Sequence, residues 1–126
     1  MAAIRVFLVD DSPEFVQFTK DLLAELTEFQ VVGSAHSAED ALAAIEQLRP
    51  DLVLMDVNLP GIDGLEATRQ ILKESQPVVV LLLSTYEAAE YGPKAAECGA
   101  SAYIPKSEFL PDRLVEAWSE GAGSTA

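Results

Sequence analysis

The chain has 126 residues, of which 49% are hydrophobic and 23% charged, a composition typical of a single folded domain. No stretch reaches the ~20 unbroken apolar residues of a membrane helix, and we expect no secretory signal before the first apolar run. A net charge of -13 disfavours direct binding to nucleic acid or to anionic membranes. The single cysteine, Cys98, excludes an internal disulfide and favours a cytoplasmic location.

Five apolar runs bounded by turn residues predict five β-strands. In chain order they occupy residues 4–9, 31–35, 52–55, 78–83 and 102–105. The fourth run, VVVLLL, has no polar alternation, which is typical of a strand covered on both faces. The fifth ends in Pro105, which cannot donate a ladder hydrogen bond and therefore belongs at a sheet edge.

Amphipathic stretches between and after these strands predict five helices. Ser12 and Pro13 supply the N-cap and first position of the first helix, while Ser37 and Asp40 resemble a capping box for the second. Because proline inside a helix costs ~3 kcal/mol, we expect the fourth helix, within 87–98, to begin near Pro93 or to break before it. The apolar faces of the other four helices are predicted at Phe15, Phe18, Leu22 and Leu26; Ala41, Leu42, Ile45 and Leu48; Leu65, Thr68, Ile71 and Leu72; and Phe109, Leu110, Leu114, Val115 and Trp118.

Alternating strands and helices predict an α/β fold with helices on both faces of a parallel sheet. We predict a flavodoxin-like (βα)5 doubly wound sheet of five strands in the order 2-1-3-4-5, which places the fifth strand at an edge. One domain is expected over residues 1–120. The small, polar residues 121–126 are expected to form a flexible tail or the start of a linker.

Ligands of an open parallel sheet bind beyond the carboxyl ends of its strands. The residues predicted there are Asp10, Asp11, Asp56, Ser84, Thr85 and Lys106. Three crowded carboxylates require raised pKa values or a bound cation, and oxygen ligands with room for water favour Mg2+. A carboxylate neutralised in this way can attack phosphorus and form an aspartyl phosphate, with Lys106 and Ser84 suited to contact the phosphoryl oxygens.

The chain strongly resembles the receiver domains of bacterial response regulators, the CheY-like superfamily, over about residues 4–119. Four segments carry the resemblance, each at a predicted strand end: VDDS at 9–12, LMDVNLPGIDG at 54–64, LSTY at 83–86 and GASAYIPK at 99–106. The short spacing between Asp56 and Ser84 is most similar to the NarL/LuxR-type subfamily, whose members carry a C-terminal helix-turn-helix.

The resemblance implies a two-component phosphorelay in which Asp56 is the phosphoacceptor and Lys106 pairs with the phosphoryl group. It implies Mg2+ bound by Asp11, Asp56 and the main-chain carbonyl of Asn58, with Asp10 acting through water or orienting its neighbour. Ser84 hydrogen-bonds the phosphoryl group, and Tyr103 is an aromatic switch that turns inward as Ser84 moves. The acyl-phosphate lifetime is tuned by Asn58 and Tyr86.

The resemblance also implies the partners: a sensor histidine kinase or phosphotransfer protein as donor, and an attached or separate output domain that regulates transcription. Homodimerisation on phosphorylation stays open. The domain would catalyse its own modification and slow dephosphorylation, so we do not expect an enzyme with an external substrate. Lys106 precedes Ser107 instead of the proline with a cis bond that many receivers have. The only histidine, His36, is interpreted as a strand-end residue.

Three alternatives remain. A degenerate receiver would act only by binding, although all the acceptor residues are present. A haloacid-dehalogenase-type phosphatase also forms an aspartyl phosphate, but its Asp-x-Asp motif follows the first strand, whereas here Asp56 follows the third and position 58 is Asn. A flavin-binding flavodoxin needs a phosphate loop rich in Gly, Ser and Thr after the first strand, where this chain has two acids.

Overall fold

The computed structural model describes residues 3–59, 61–73, 77–85 and 88–124. The strands are β1 (Ile4–Val9), β2 (Phe29–Ala35), β3 (Leu52–Asp56), β4 (Val79–Ser84) and β5 (Ala102–Pro105). The helices are α1 (Pro13–Ala24), α2 (Ala38–Leu48), α3 (Gly64–Lys73), α4 (Ala88–Cys98) and α5 (Pro111–Ser124). A single 3-10 turn over Lys106–Glu108 follows β5 in this part of the chain.

The five strands are all parallel and lie in the order β2-β1-β3-β4-β5, as predicted. β5 is therefore an edge strand, in agreement with Pro105 at its end. In the register of the last three strands Asp56 lies beside Leu83 and Ser84 lies beside Pro105. The carboxyl ends of the strands consequently meet at one edge of the sheet, where the predicted site residues follow.

Helices cover both faces of the sheet and enclose two hydrophobic clusters. One cluster joins strand residues such as Phe7 and Tyr103 to α2, α3 and α4, and the other joins residues such as Ile104 to α1 and α5. Because side chains alternate along a strand, neighbouring residues of β5 belong to different clusters. Every residue of β4 is buried, which confirms a strand covered on both faces.

The predicted starts of α1 and α2 are confirmed. The Ser12 side chain accepts a hydrogen bond from the Phe15 N–H at 3.3 Å, and Ser37 accepts one from the Asp40 N–H at 3.2 Å. Each side chain thereby satisfies one of the backbone donors that a helix start leaves unpaired. Among the described helices, none is long and apolar enough to cross a membrane.

The prediction for the apolar face of α1 is wrong. The buried residues are Val16, Thr19 and Leu23, none of which was predicted there, while Phe18 is 49% exposed. Phe15, Leu22 and Leu26 are partly buried, and Leu26 lies past the end of the helix. Thr19 can be buried on this face although it is polar, because its hydroxyl donates a hydrogen bond to the Phe15 carbonyl at 2.8 Å. A polar residue therefore interrupts the apolar pattern of the buried face. Leu110 likewise precedes α5 and is 60% exposed.

The prediction for α4 is also wrong, because the helix begins at Ala88 and contains Pro93 in its interior. Pro93 removes the hydrogen bond that its N–H would donate to the carbonyl of Ala89, close to the helix start. The C-terminal half of α4 buries Ala95 and Cys98 and packs against β5 and α3. Tertiary packing supplies most of the stability of a protein helix, and here it outweighs the local penalty.

The last helix extends beyond the predicted limit of the domain. α5 runs to Ser124, four residues into the segment expected to be a tail. Gly121 is buried, and a Cβ added there would lie 2.7 Å from Val79 Cγ1 and 2.9 Å from Ser101 Oγ. The absence of a side chain thus lets the last turn of α5 approach β4 closely, which holds this segment on the domain. No cis peptide bond occurs in the described ranges, so the bond between Lys106 and Ser107 is trans.

Candidate functional site

Three carboxylates meet at the carboxyl edge of the sheet. Asp10 and Asp11 follow β1, and Asp56 is the last residue of the neighbouring strand β3. One oxygen from each carboxylate lies within 4.8 Å of the others. Asp10 and Asp56 are each 3% exposed, whereas Asp11 is exposed to solvent. The structure therefore brings together the three acids that the sequence predicted.

Lys106 reaches this cluster from the end of β5. Its Nζ atom lies 2.8 Å from Asp10 Oδ2 and 3.6 Å from Asp56 Oδ2, and its side chain is 15% exposed. The closer partner of the lysine is thus Asp10. Because the ion pairs are largely shielded from water, they are less screened than pairs on an open surface.

Backbone N–H groups fix the orientation of the two buried carboxylates. The Ser12 N–H donates to Asp10 Oδ1 at 2.8 Å, and the Asn58 N–H donates to Asp56 Oδ1 at 3.1 Å. In both residues the remaining oxygen, Oδ2, faces Lys106. Asp10 Oδ2 is buried and receives no hydrogen bond from the described residues, although it is ion-paired. The Lys106 ammonium therefore compensates the charge of this oxygen.

The loop after β3 is held closely against the end of that strand. The Val57 N–H donates to the Leu83 carbonyl at 2.9 Å, and the Gly64 N–H donates to the Val57 carbonyl at 3.0 Å. A Cβ at Gly64 would collide with the carbonyl oxygen of Asp56. Glycine at this position lets the first turn of α3 pack directly on the backbone of the acidic residue.

Asn58 connects this loop to the end of β4. Its Nδ2 atom donates to the Oγ atom of Ser84 at 3.3 Å, and Ser84 is completely buried. Tyr103 belongs to the hydrophobic cluster under α2, α3 and α4, and it is buried, with 9% exposed. Tyr86 and Pro60 lie outside the described residues.

The environment of Asp56 raises its pKa from 3.8 to about 6. Burial is the largest cause, and the negative charge of Asp10 adds to it. Lys106 and the Asn58 N–H act in the opposite direction, and Asp11 makes a small upward contribution. The carboxylate is thus held at a free-energy disadvantage in its charged form, which a bound cation would relieve.

A cavity of about 670 Å3 opens onto the cluster. Its lining residues are Asp11, Ser12, Glu14, Phe15, Phe18, Asp56, Asn58, Thr85 and Lys106. The cavity is large enough for a phosphoryl group and a hydrated cation, and it is open to an approaching partner. Carboxylate oxygens are the ligands that a hard divalent cation prefers, and an ammonium group can pair with the oxygens of a phosphoryl group.

Sequence reasoning missed the part that Phe15 plays in this site. The Lys106 Nζ atom lies over the Phe15 ring, 4.3 Å from its centroid. A signal existed, since Phe15 lies in the first turn of the helix that directly follows the acidic pair. The exposed His36 follows β2, with Nδ1 3.2 Å from the carbonyl oxygen of Asp10, in agreement with its interpretation as a strand-end residue.

Comparisons with known proteins give a consistent result. The family model described as "Response regulator receiver domain" matches residues 6–119. The chain is 37% identical over 114 residues to the transcriptional regulatory protein DegU of Brevibacillus brevis, covering 90% of this chain and 48% of that protein. It is 38% identical over 105 residues to protein-glutamate methylesterase/protein-glutamine glutaminase 1 of Syntrophus aciditrophicus, covering 82% of this chain and 30% of that protein.

Among solved structures, a two-component response regulator of the LuxR family from Aurantimonas sp. SI85-9A1 superposes with a TM-score of 0.86 and 33% identity. The match covers 97% of this chain and 87% of that one. This chain therefore belongs to the response regulator receiver domain family. Within it, the chain is similar to receivers of LuxR-family and DegU-type transcriptional regulators. It spans about half the length of the DegU relative and less than a third of the methylesterase.

Proposed function

We propose that this domain accepts a phosphoryl group on Asp56 from the phosphohistidine of a partner histidine kinase or phosphotransfer protein. The observation that carries the proposal is the position of the Lys106 ammonium between Asp10 and Asp56, at 2.8 Å and 3.6 Å. A cation already placed beside the nucleophile can stabilise the charge of an entering phosphoryl group without a large rearrangement.

In the proposed step an oxygen of Asp56 attacks the phosphorus. A P–O bond forms as the P–N bond of the donor breaks, and the imidazole leaves with the electron pair and takes a proton from solvent. Lys106 compensates the charge on the phosphoryl oxygens. The Ser84 hydroxyl, which accepts a hydrogen bond from Asn58 in this structure, would turn to donate one to the phosphoryl group.

The acidic cluster supports Mg2+ as the cofactor. Asp11, Asp56 and the main-chain carbonyl of Asn58 would hold it, and Asp10 would act through water. When bound, the cation would neutralise the carboxylates and polarise the phosphoryl oxygens. One oxygen from each of Asp10, Asp11 and Asp56 lies within 4.8 Å of the others, which supports a cation shared by this cluster.

The proposed output is a change of interaction surface. Ser84 and Tyr103 would move together after phosphorylation, which would alter the face formed by α4 and β5, while Asn58 and Tyr86 would set the lifetime of the acyl phosphate. Similarity to DegU and to a LuxR-family regulator supports control of transcription through an attached or partner domain. The domain would modify itself in the cytoplasm and would turn over no external substrate.

The experiment is incubation with acetyl phosphate, with Mg2+ or with a chelator, followed by intact-mass analysis and peptide mapping. We expect a phosphoryl adduct on Asp56 that requires the metal and is absent in Asp56→Asn. Asp63→Asn is the matched control, because Asp63 is an exposed acid of the same loop whose side chain caps the Glu66 N–H at 2.9 Å. An adduct on another residue, or one formed equally in chelator, would contradict the proposal.

The same preparation separates the alternatives. A degenerate receiver would bind partners but give no adduct under any of these conditions. A phosphatase would hydrolyse p-nitrophenyl phosphate with continuous turnover, and we expect none.

A further inference from the structure

The ammonium group of Lys106 has two kinds of neighbour. On one side lie the carboxylates of Asp10 and Asp56, and on another lies the Phe15 ring, with its centroid 4.3 Å from Nζ. This distance is within the ~6 Å range of a cation–π contact, in which the negative ring face attracts the cation. The ring also lines the cavity, so it covers part of a lysine whose side chain is 15% exposed.

The Phe15 ring packs against a second aromatic ring, that of Phe109, which lies three residues after Lys106. Its centroid lies 5.9 Å from that of Phe109, with the two planes at 44°. Phe109 is 1% exposed, and its N–H donates to the Lys106 carbonyl at 3.2 Å. The lysine backbone, the Phe109 ring and the Phe15 ring thus form a chain of contacts that returns to the lysine ammonium.

We propose that Phe15 is a positioning residue that holds the Lys106 ammonium against Asp10 and Asp56. A lysine side chain is long and flexible, and without the ring its head group would gain access to the water of the open cavity. The ring prevents this by covering one side of the ammonium while attracting it. The inference deepens the proposed function, since a correctly placed ammonium accelerates phosphorylation of Asp56 only if Asp56 is the acceptor.

The first test reads the position of the lysine without any phosphorylation. An aromatic face this close should shift the NMR signals of the Lys106 ε-methylene protons upfield in the unphosphorylated protein. We expect the shift to persist in Phe15→Trp, which keeps an aromatic face, and to disappear in Phe15→Leu, which keeps only the apolar bulk. Absence of the shift in the wild-type protein overturns the inference.

The second test reads the consequence for chemistry. With acetyl phosphate and saturating Mg2+, Phe15→Leu should phosphorylate about fivefold more slowly than wild type, the rate equivalent of a typical cation–π contact, and Phe15→Trp should match wild type. Phe29→Leu is the matched control, because Phe29 is a buried phenylalanine at the amino end of β2, whereas the site lies at the carboxyl ends of the strands. It should lower the urea midpoint and leave both the rate and the methylene shift unchanged.

A double-mutant cycle distinguishes positioning from general damage to the fold. If Phe15 acts through the lysine, Phe15→Leu should have no further effect on the rate in a Lys106→Met background. A fivefold loss that persists in that background overturns the inference, as does a Phe15→Leu rate equal to wild type. If the methylene shift is present but the wild-type protein takes no phosphoryl group on Asp56, the proposed function fails while the positioning role of Phe15 stands.

Discussion

Replacing Asp56 with asparagine should stabilise the metal-free protein at neutral pH. The substitution keeps the shape of the side chain and removes a buried charge that lies near two other carboxylates. It also removes the ion pair of Asp56 with Lys106, whose shorter contact is with Asp10. The pKa of Asp56, raised to about 6, indicates that burial and repulsion together outweigh this attraction.

The magnitude follows from the difference in proton affinity between the folded and unfolded states. A rise in pKa from 3.8 to about 6 corresponds to roughly 3 kcal/mol, at 1.36 kcal/mol for each tenfold change. Because the buried amide of asparagine has a smaller desolvation cost of its own, we expect a net gain of about 1–2 kcal/mol. The folded protein binds the proton more tightly, so the destabilisation is fully present above pH 6, decreases as the pH falls, and is absent below about pH 3.8.

The assay is urea unfolding in chelator at pH 7.5 and again near pH 4.5, with wild type, Asp56→Asn and the exposed control Asp63→Asn. Asp56→Asn should be more stable than wild type at the higher pH, and most of that advantage should be lost at the lower pH. Mg2+ should also narrow the difference, because it binds the folded wild type preferentially. If Asp56→Asn is no more stable at pH 7.5, or keeps the same advantage at both pH values, the electrostatic description of the site is wrong.

Three further predictions concern the surroundings of the site. Gly64→Ala should destabilise the protein by about 1–3 kcal/mol although alanine has the higher helix propensity, because its Cβ would collide with the carbonyl oxygen of Asp56. An unchanged midpoint of urea unfolding would contradict this. Asn58→Ala keeps the main-chain carbonyl and removes the hydrogen bond from Asn58 to the Ser84 hydroxyl, so beryllofluoride should bind about fivefold more tightly by titration, the equivalent of one hydrogen bond. Unchanged affinity would argue against a restraining contact between these two side chains. Pro93→Ala restores a missing helix hydrogen bond, so urea unfolding should show a free energy of unfolding higher by roughly 1–3 kcal/mol. An unchanged or lower value would contradict this.

Much of the fold could be predicted because its signals are local and agree with one another. The VVVLLL run predicted a strand buried on both faces, and the serines before α1 and α2 predicted the helix starts. Pro105 placed β5 at an edge. The acidic cluster was predictable as well, because parallel strands end at a common edge and Asp10, Asp11 and Asp56 follow or end two of them.

The predictions failed where tertiary contacts decide the outcome. Pro93 argues against a helix around it, but the burial of Ala95 and Cys98 outweighs that argument. The small, polar sequence after residue 120 suggested a tail, whereas the close approach of Gly121 to Val79 depends on a surface that the local sequence does not encode. The contact of Phe15 with the lysine likewise arises only when α1 and the end of β5 come together.

The separation of the core into two clusters, one on each face of the sheet, has a consequence for how such a domain can diversify. Tyr103 faces the cluster under α2, α3 and α4, while Phe109, just past the strand, joins Phe15 in the cluster under α1 and α5. Under the proposed function, substitutions in the cluster under α1 and α5 would change the rate at which Asp56 is phosphorylated. Substitutions in the cluster under α2, α3 and α4 would change the surface that the phosphorylated domain presents to its partner. The two faces of one sheet would then control phosphorylation rate and partner recognition separately, so that either property could change during evolution while the other is maintained.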